Sequence, residues 1–169
     1  MSRRIAALLL LLGLLCAACA GGTGEKEGRY SVYFLNAQGR GDDAALGWES
    51  RETPEGAGEV EGLMALLLGG PVSDELRSPF PQGTLLRGCG VTDGVASVDL
   101  SEAYEGLSGV GLTLADGCIV LTLCQLEGVE SVYLTVEGHP RPFRDQVLSP
   151  RDFLLDNEIP AGVDPADPK

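Results

Sequence analysis

Hydrophobic and polar positions along the chain change period several times, and each change marks an element. Tyr30 to Asn36 (YSVYFLN) is aromatic and β-branched and predicts a strand. A polar, glycine-containing loop follows from Asn36 to Ala44, and Leu46 to Glu52 predicts a second strand that Thr53-Pro54 ends. Between Gly58 and Gly69 the period lengthens, because Val60, Leu63, Met64 and Leu67 fall at i, i+3, i+4 and i+7, one face of a helix. Gly69-Gly70-Pro71 supplies its stop, and Pro79-Phe80-Pro81 marks a rigid connection.

Asp93-Gly94, set between apolar runs within Thr84 to Leu100, predicts a two-residue type I′ hairpin. Pairing outward from that turn places Val91 opposite Ala96 and Cys89 opposite Val98 on an apolar face. This register predicts Cys89 to be buried and Asp99 to be exposed or capping. A second helix is expected from Thr113, whose hydroxyl would cap the Asp116 amide. Ala115, Cys118, Ile119, Thr122 and Leu126 would line one face, Leu114, Leu121 and Leu123 would widen it, and Gly128 would end it. Val132 to Val136 (VYLTV) predicts the last strand, closed by Glu137-Gly138. The expected fold is α+β, of order ββαββαβ, with two helices packed on one face of a mainly antiparallel sheet. That domain would occupy residues 29–156 including a C-terminal extension, with a Pro- and Asp-rich disordered tail over 157–169.

The N-terminus follows a different pattern. Arg3 and Arg4 precede an apolar run from Ile5 to Leu15, too short to cross a hydrocarbon core of roughly 30 Å but the length of a secretory h-region. Cys-Ala-Ala-Cys-Ala-Gly at 16–21 resembles a bacterial lipobox, with small residues at the two positions before the second cysteine. That resemblance implies removal of residues 1–18 and lipidation of Cys19. Cys16 stands where lipoboxes more often carry Leu, and bulky Leu15 argues against cleavage before it. Two or more acyl chains suffice for stable anchoring where one is marginal. Residues 19–28 would then be the lipidated cysteine and a flexible tether, whose AGGTGEKEG stretch spans about 15–18 Å.

Composition narrows the partners. The chain has 169 residues, room for one domain with tails, and its 44% hydrophobic and 22% charged residues are those of a globular protein. Its formal charge of −13 excludes binding to phosphate backbones. Cleavage at the lipobox would remove Arg3 and Arg4 and no acid, taking the charge to −15 from the 12 basic and 25 acidic residues of the whole. Such a body stands off an anionic bilayer. A single His leaves no material for a zinc site, so no metal and no cofactor are expected.

Four segments then carry a resemblance: LMALLLGGP at 63–71, SPFPQGT at 78–84, DGVASVDLSEAY at 93–104 and IVLTLCQLEGVESVYLTVEG at 119–138. In this order and spacing they resemble the GerMN domain, a family named for spore germination and sporulation proteins. The resemblance runs from about Tyr30 to Gly138. It implies a non-catalytic extracytoplasmic module, often carried on a lipoprotein of spore-forming bacteria, with a fold similar to the ring-building motifs of secretion and sporulation channels. The best-studied sporulation members carry the domain in tandem, whereas this chain has room for one.

The remaining chemistry is sparse. Cys118 and Cys124, six apart on one helix, are about 9 Å apart along its axis and cannot bridge while it stands. Cys89 could meet either one, or all three could be buried free thiols. His139 reads as a solvated loop residue, with no nucleophile–histidine logic around it. Carboxylate pairs such as Asp42/Asp43 and Glu102/Glu105 arise by number alone, and no catalytic residue is assigned. DLSEAYE at 99–105 lacks EF-hand spacing and reads as a strand end entering a turn or short helix. Trp48, Tyr30, Tyr33 and Tyr104 could stack on wall sugars or sit in the core. The leading expectation is a membrane-anchored lipoprotein on the extracytoplasmic face of the cell membrane. It would bind envelope or channel proteins through sheet faces and edges, with peptidoglycan binding as the alternative.

Overall fold

The computed structural model describes residues 29–38, 45–56, 58–141 and 147–153. The expected signal segment, Cys19, the tether, Asp42/Asp43 and the tail over 157–169 lie outside these residues.

Strands β1 (Arg29–Asn36) and β2 (Leu46–Glu52) lead into helix α1 (Glu59–Gly69). A two-residue strand β3 (Leu76–Arg77) follows, then β4 (Leu86–Thr92) and β5 (Val95–Leu100). A 3-10 turn over Glu102–Gly106 precedes helix α2 (Gly109–Leu123), strand β6 (Ser131–Val136) and the short strands β7 (His139–Pro140) and β8 (Val147–Leu148). The order ββαββαβ therefore stands, extended by three short strands. These strands make two sheets, β2-β1-β3 and β4-β5-β6-β7, with β8 also on β6. Pairing is antiparallel except between β5 and β6, which run parallel. A parallel neighbour requires a crossover, and α2 is that crossover.

Helix α1 buries Val60, Leu63, Met64 and Leu67, the stripe that its sequence period marks, and stops at Gly70, whose φ is 83°. Each such side chain contributes about 1.5–3 kcal/mol on burial. The β4–β5 register is the one read outward from the turn, with Val91 opposite Ala96 and Cys89 opposite Val98. Asp93 and Gly94 take φ of 49° and 78°, the two positive values a type I′ turn requires. Helix α2 begins at Gly109 instead of Thr113. Gly109 and Gly111 weaken the local helical signal by about 1 kcal/mol each relative to alanine, yet burial of Leu112 holds that turn in place. Thr113 does not cap; its hydroxyl donates back to the Gly109 carbonyl at 3.3 Å. The helix ends at Leu123, and Gly128, at φ 79°, belongs to the turns beyond it.

The two sheets meet across α2, which is buried on most of its circumference. Beyond its last turn, the Gln125 side-chain amide treats β1 as a neighbouring strand would. Ser31 N–H donates to Gln125 Oε1 at 2.9 Å, and Gln125 Nε2 donates to the Ser31 carbonyl at 2.6 Å. Tyr33 N–H donates to Thr122 Oγ1 at 3.1 Å. Side chains thus seal the stretch of this β1 edge that β3, paired only at Leu35 and Asn36, leaves uncovered. At the C-terminal end, the Phe153 ring lies on Gly117, where an added Cβ would come within 3.0 Å of it.

Replacing Gln125 with Ala removes both bonds to Ser31. The expected loss is roughly 1–2 kcal/mol in urea denaturation, with faster hydrogen exchange at the Ser31 amide and unchanged exchange in the β4–β5 hairpin.

Candidate functional site

Polar chemistry in this domain gathers at two places. The first is internal. Tyr104, at 0% exposure, donates its hydroxyl to Asp116 Oδ1 at 2.6 Å. The Arg141 guanidinium lies 5.0 Å from the Tyr104 ring centroid and donates to the Leu107 carbonyl at 3.3 Å. Burial, and after it the Asp116 carboxylate, push the Tyr104 phenol well above its usual range, so it stays a neutral donor. This cluster fastens the 3-10 turn to α2, and it removes Tyr104 from any sugar-stacking role. The segment over 99–105 is accordingly a strand end running into a short helix.

The second gathering is Asp99, half-buried and neither free nor a helix cap. Its Oδ1 accepts from Thr135 Oγ1 at 2.7 Å and from Gly138 N–H at 2.8 Å, and its Oδ2 accepts from Arg87 Nε at 3.3 Å. Burial raises its pKa, but these three donors together outweigh that and hold the carboxyl below its usual range. Arg87 also reaches Glu137 Oε2 at 2.8 Å. Asp99 therefore ties β4, β5 and the β6–β7 turn together as a structural hub.

Among the described residues no group of three or more His, Cys, Asp or Glu side chains could hold a metal ion. His139 is exposed, with Nδ1 2.8 Å from the Glu137 carbonyl. The three cysteines among the described residues, Cys89, Cys118 and Cys124, are free thiols. Cys118 is buried, and burial pushes its thiol up to about 12; burial likewise raises Cys124 to about 11. Cys89, expected in the core, is exposed. Its register is as expected, but β4 is the terminal strand of its sheet, and the groove between it and the first turn of α1 leaves Cys89 open to solvent. Burial, then the charge of Glu61, raise its thiol pKa.

Surfaces remain as the candidate site. Tyr30 and Tyr33 are half-buried against the core, whereas Trp48 is 59% exposed on β2, opposite Tyr33. The two long edge strands, β2 and β4, differ in how they are guarded. Strand β2 carries Glu49, Arg51 and Glu52, and Glu49 is itself engaged by the Val72 and Ser73 amides at 3.0 and 3.1 Å and by Arg51 at 2.6 Å. Charges of this kind blunt an edge. Strand β4 (LRGCGVT) carries only Arg87, which is turned toward Asp99 and Glu137. Beside β4 lies a groove of about 370 Å³ between its Cys89–Val91 stretch, the first turn of α1 and the turn after α2. Cys89, Val91, Val60, Leu126 and Val129 give it an apolar lining, and Glu59, Glu61 and Glu127 an acidic one. Sequence reasoning missed this groove because it joins segments about 30 residues apart or more; the only local signal was a glycine-rich strand poor in charge.

The family model Germane, described as sporulation and spore germination, matches residues 31–142. The first GerMN domain of the sporulation protein GerM from Bacillus subtilis is similar in structure, with a TM-score of 0.61 at 19% identity over 73% of this chain and 98% of that one. The tandem GerMN domains of the same protein give 0.62 at 18% identity, over 73% of this chain and 46% of theirs. A protein from Clostridium perfringens described as a candidate lipoprotein gives 0.51 at 17% identity, over 73% and 88%. These likenesses show the fold. No curated protein matches the chain.

Two outcomes follow for the internal chemistry. Tyr104→Phe strips a donor from the buried Asp116 carboxylate, and urea denaturation should show a loss of about 1–3 kcal/mol. At pH 8, alkylation of the native chain should label Cys89 first and leave Cys118 untouched until denaturant is added, as mass spectrometry of peptides would show.

Proposed function

The chain belongs to the Germane family of sporulation and spore germination, and from that premise we propose that it is a non-catalytic, protein-binding lipoprotein of the cell envelope. In this reading Cys19 carries the lipid, residues 1–18 are removed, and residues 19–28 tether an acidic domain on the extracytoplasmic face of the membrane. The domain acts as an assembly module, joining envelope or channel proteins in sporulation or germination. The observation that carries the reading is the long β4 edge, which has no outer strand partner among the described residues and whose one charge is paired elsewhere, beside a groove of apolar and acidic lining. Open edges recruit other strands. The lipobox resemblance at 16–21 and the candidate lipoprotein among the structural neighbours support the anchor. Among the described residues no helix is long and apolar enough to cross a membrane.

The exposed Trp48 favours a second reading, in which the β2 face stacks on wall sugars. Crosslinking of intact cells, in growth and in sporulation, followed by affinity recovery of the full chain separates the two. Assembly predicts stoichiometric protein partners and no co-sedimentation with purified sacculi. Recovery of wall fragments alone would replace it with glycan binding. Cys19→Ser should shift the protein from the membrane to the soluble fraction; unchanged membrane association would remove the lipid anchor from the proposal.

A further inference from the structure

The β4 edge has a chemistry that says what kind of segment fits it. In a two-residue type I′ hairpin the residues flanking the turn form a hydrogen-bonded pair, here Thr92 and Val95. Pairs alternate outward from there, so Gly90–Ser97 bonds inward while Val91–Ala96 and Cys89–Val98 do not. Cys89 and Val91 therefore aim their N–H and C=O groups at the open side of the sheet. The same two residues line the groove with their side chains. A strand laid along this edge would pair its backbone with Cys89 and Val91, and its residues opposite them would fall on the groove's face of the sheet.

Two further features fit a strand-like visitor. Gly88 and Gly90 leave the opposite face unobstructed: a Cβ on Gly88 would meet nothing within 4 Å, and one on Gly90 only Ser97 Oγ at 3.7 Å. The register shift between Leu86 and Gly88 bounds the usable edge at its far end, leaving Gly88 to Thr92. Charge then sets the sign of the visitor. Glu59, Glu61 and Glu127 all border the groove, and no basic residue does among the described residues. The chain's own residues 157–169 are a poor match, since they carry Glu158, Asp164 and Asp167 and three prolines.

We propose that the β4 edge is a docking site for an extended partner segment that adds as a further strand, with apolar residues opposite Cys89 and Val91 and lysine or arginine flanking them. The inference rests on the domain being a protein-binding module, and it names the partner's chemistry and the place it binds. Apolar side chains supply contact area in the groove, main-chain bonds fix the register, and the flanking cations meet the glutamates.

The test uses the full chain in detergent and a fluorescent peptide, Ac-Lys-Thr-Val-Thr-Val-Thr-Lys-NH2, with Ac-Glu-Thr-Val-Thr-Val-Thr-Glu-NH2 as its charge-reversed partner. The basic peptide should bind saturably, at least about tenfold more tightly than the acidic one, and should slow hydrogen exchange at Cys89 and Val91. Val91→Pro removes an outward N–H while sparing the β5 ladder, and should abolish that protection. The triple variant E59K/E61K/E127K changes only exposed side chains, so it serves even if Val91→Pro misfolds, and it should invert the preference between the two peptides. Equal binding of both peptides, protection elsewhere, or an unchanged preference in the triple variant would overturn the proposal. So would concentration-dependent protection of Cys89 and Val91 without peptide, which would assign the edge to a second copy. A photo-crosslinker at Val91 compared with one at Trp48 in cells separates the layers of the argument. Protein partners captured only from Trp48 would leave the assembly reading standing and remove this one, whereas none from either position would remove both.

Discussion

From Ala115 to Leu123 helix α2 is buried at every position but Leu121, and that enclosure sets terms for the rest of the domain. A polar group on such a helix has no water to turn to, so each one needs an internal partner. Asp116 takes the Tyr104 hydroxyl and Thr122 takes the Tyr33 amide, while Gln125, exposed just beyond the helix, takes both backbone groups of Ser31. Each bond reaches a different part of the structure. The first fixes the 3-10 turn between β5 and α2, while the others fix β1, and through β1 the sheet it shares with β2 and β3. Meeting the needs of one buried helix thereby decides where two sheets sit relative to each other.

The sequence disclosed most of this where the signal was local. The α1 stripe from Val60 to Leu67, the Asp93-Gly94 turn and the register from Val91 to Val98 all rest on spacing within a dozen residues, and all appear as read. Exposure was harder to see. Cys89 lies on the apolar face of β4, yet whether that face is covered depends on what packs over the sheet's last strand, which no local pattern encodes. The α2 start was hidden for a related reason, because tertiary burial of Leu112 overrides two glycines that argue against a helix. The parallel β5–β6 pairing and the Tyr104–Asp116 bond are likewise relations between segments, although one clue was available. Asp116 and Thr122 are polar residues inside an otherwise apolar helical run, and buried polar residues in such a run imply partners. The groove beside β4 left no comparable trace.

The two long edges show how one small domain manages exposed strand edges unequally. On β2, charged residues occupy alternate and adjacent positions, and Glu49 is committed to the Val72–Ser73 turn. On β4 the single cation is drawn away to Asp99 and Glu137 on the side opposite Cys89 and Val91. Asp99 thus serves stability and leaves the edge bare at once.

The bonds between Ser31 and Gln125 join residues 94 positions apart. Strands β1 and β2 are the first parts of the domain to leave the ribosome, and the amide that seals β1 follows only once α2 is complete. For most of its emergence the chain therefore carries an unsealed hairpin that cannot reach its final packing, because such long-range contacts repay their ordering cost only when the last partner arrives. The packing of β1 is therefore gated by synthesis of the chain through Gln125, and a chain truncated before that residue leaves this edge of β1 unsealed.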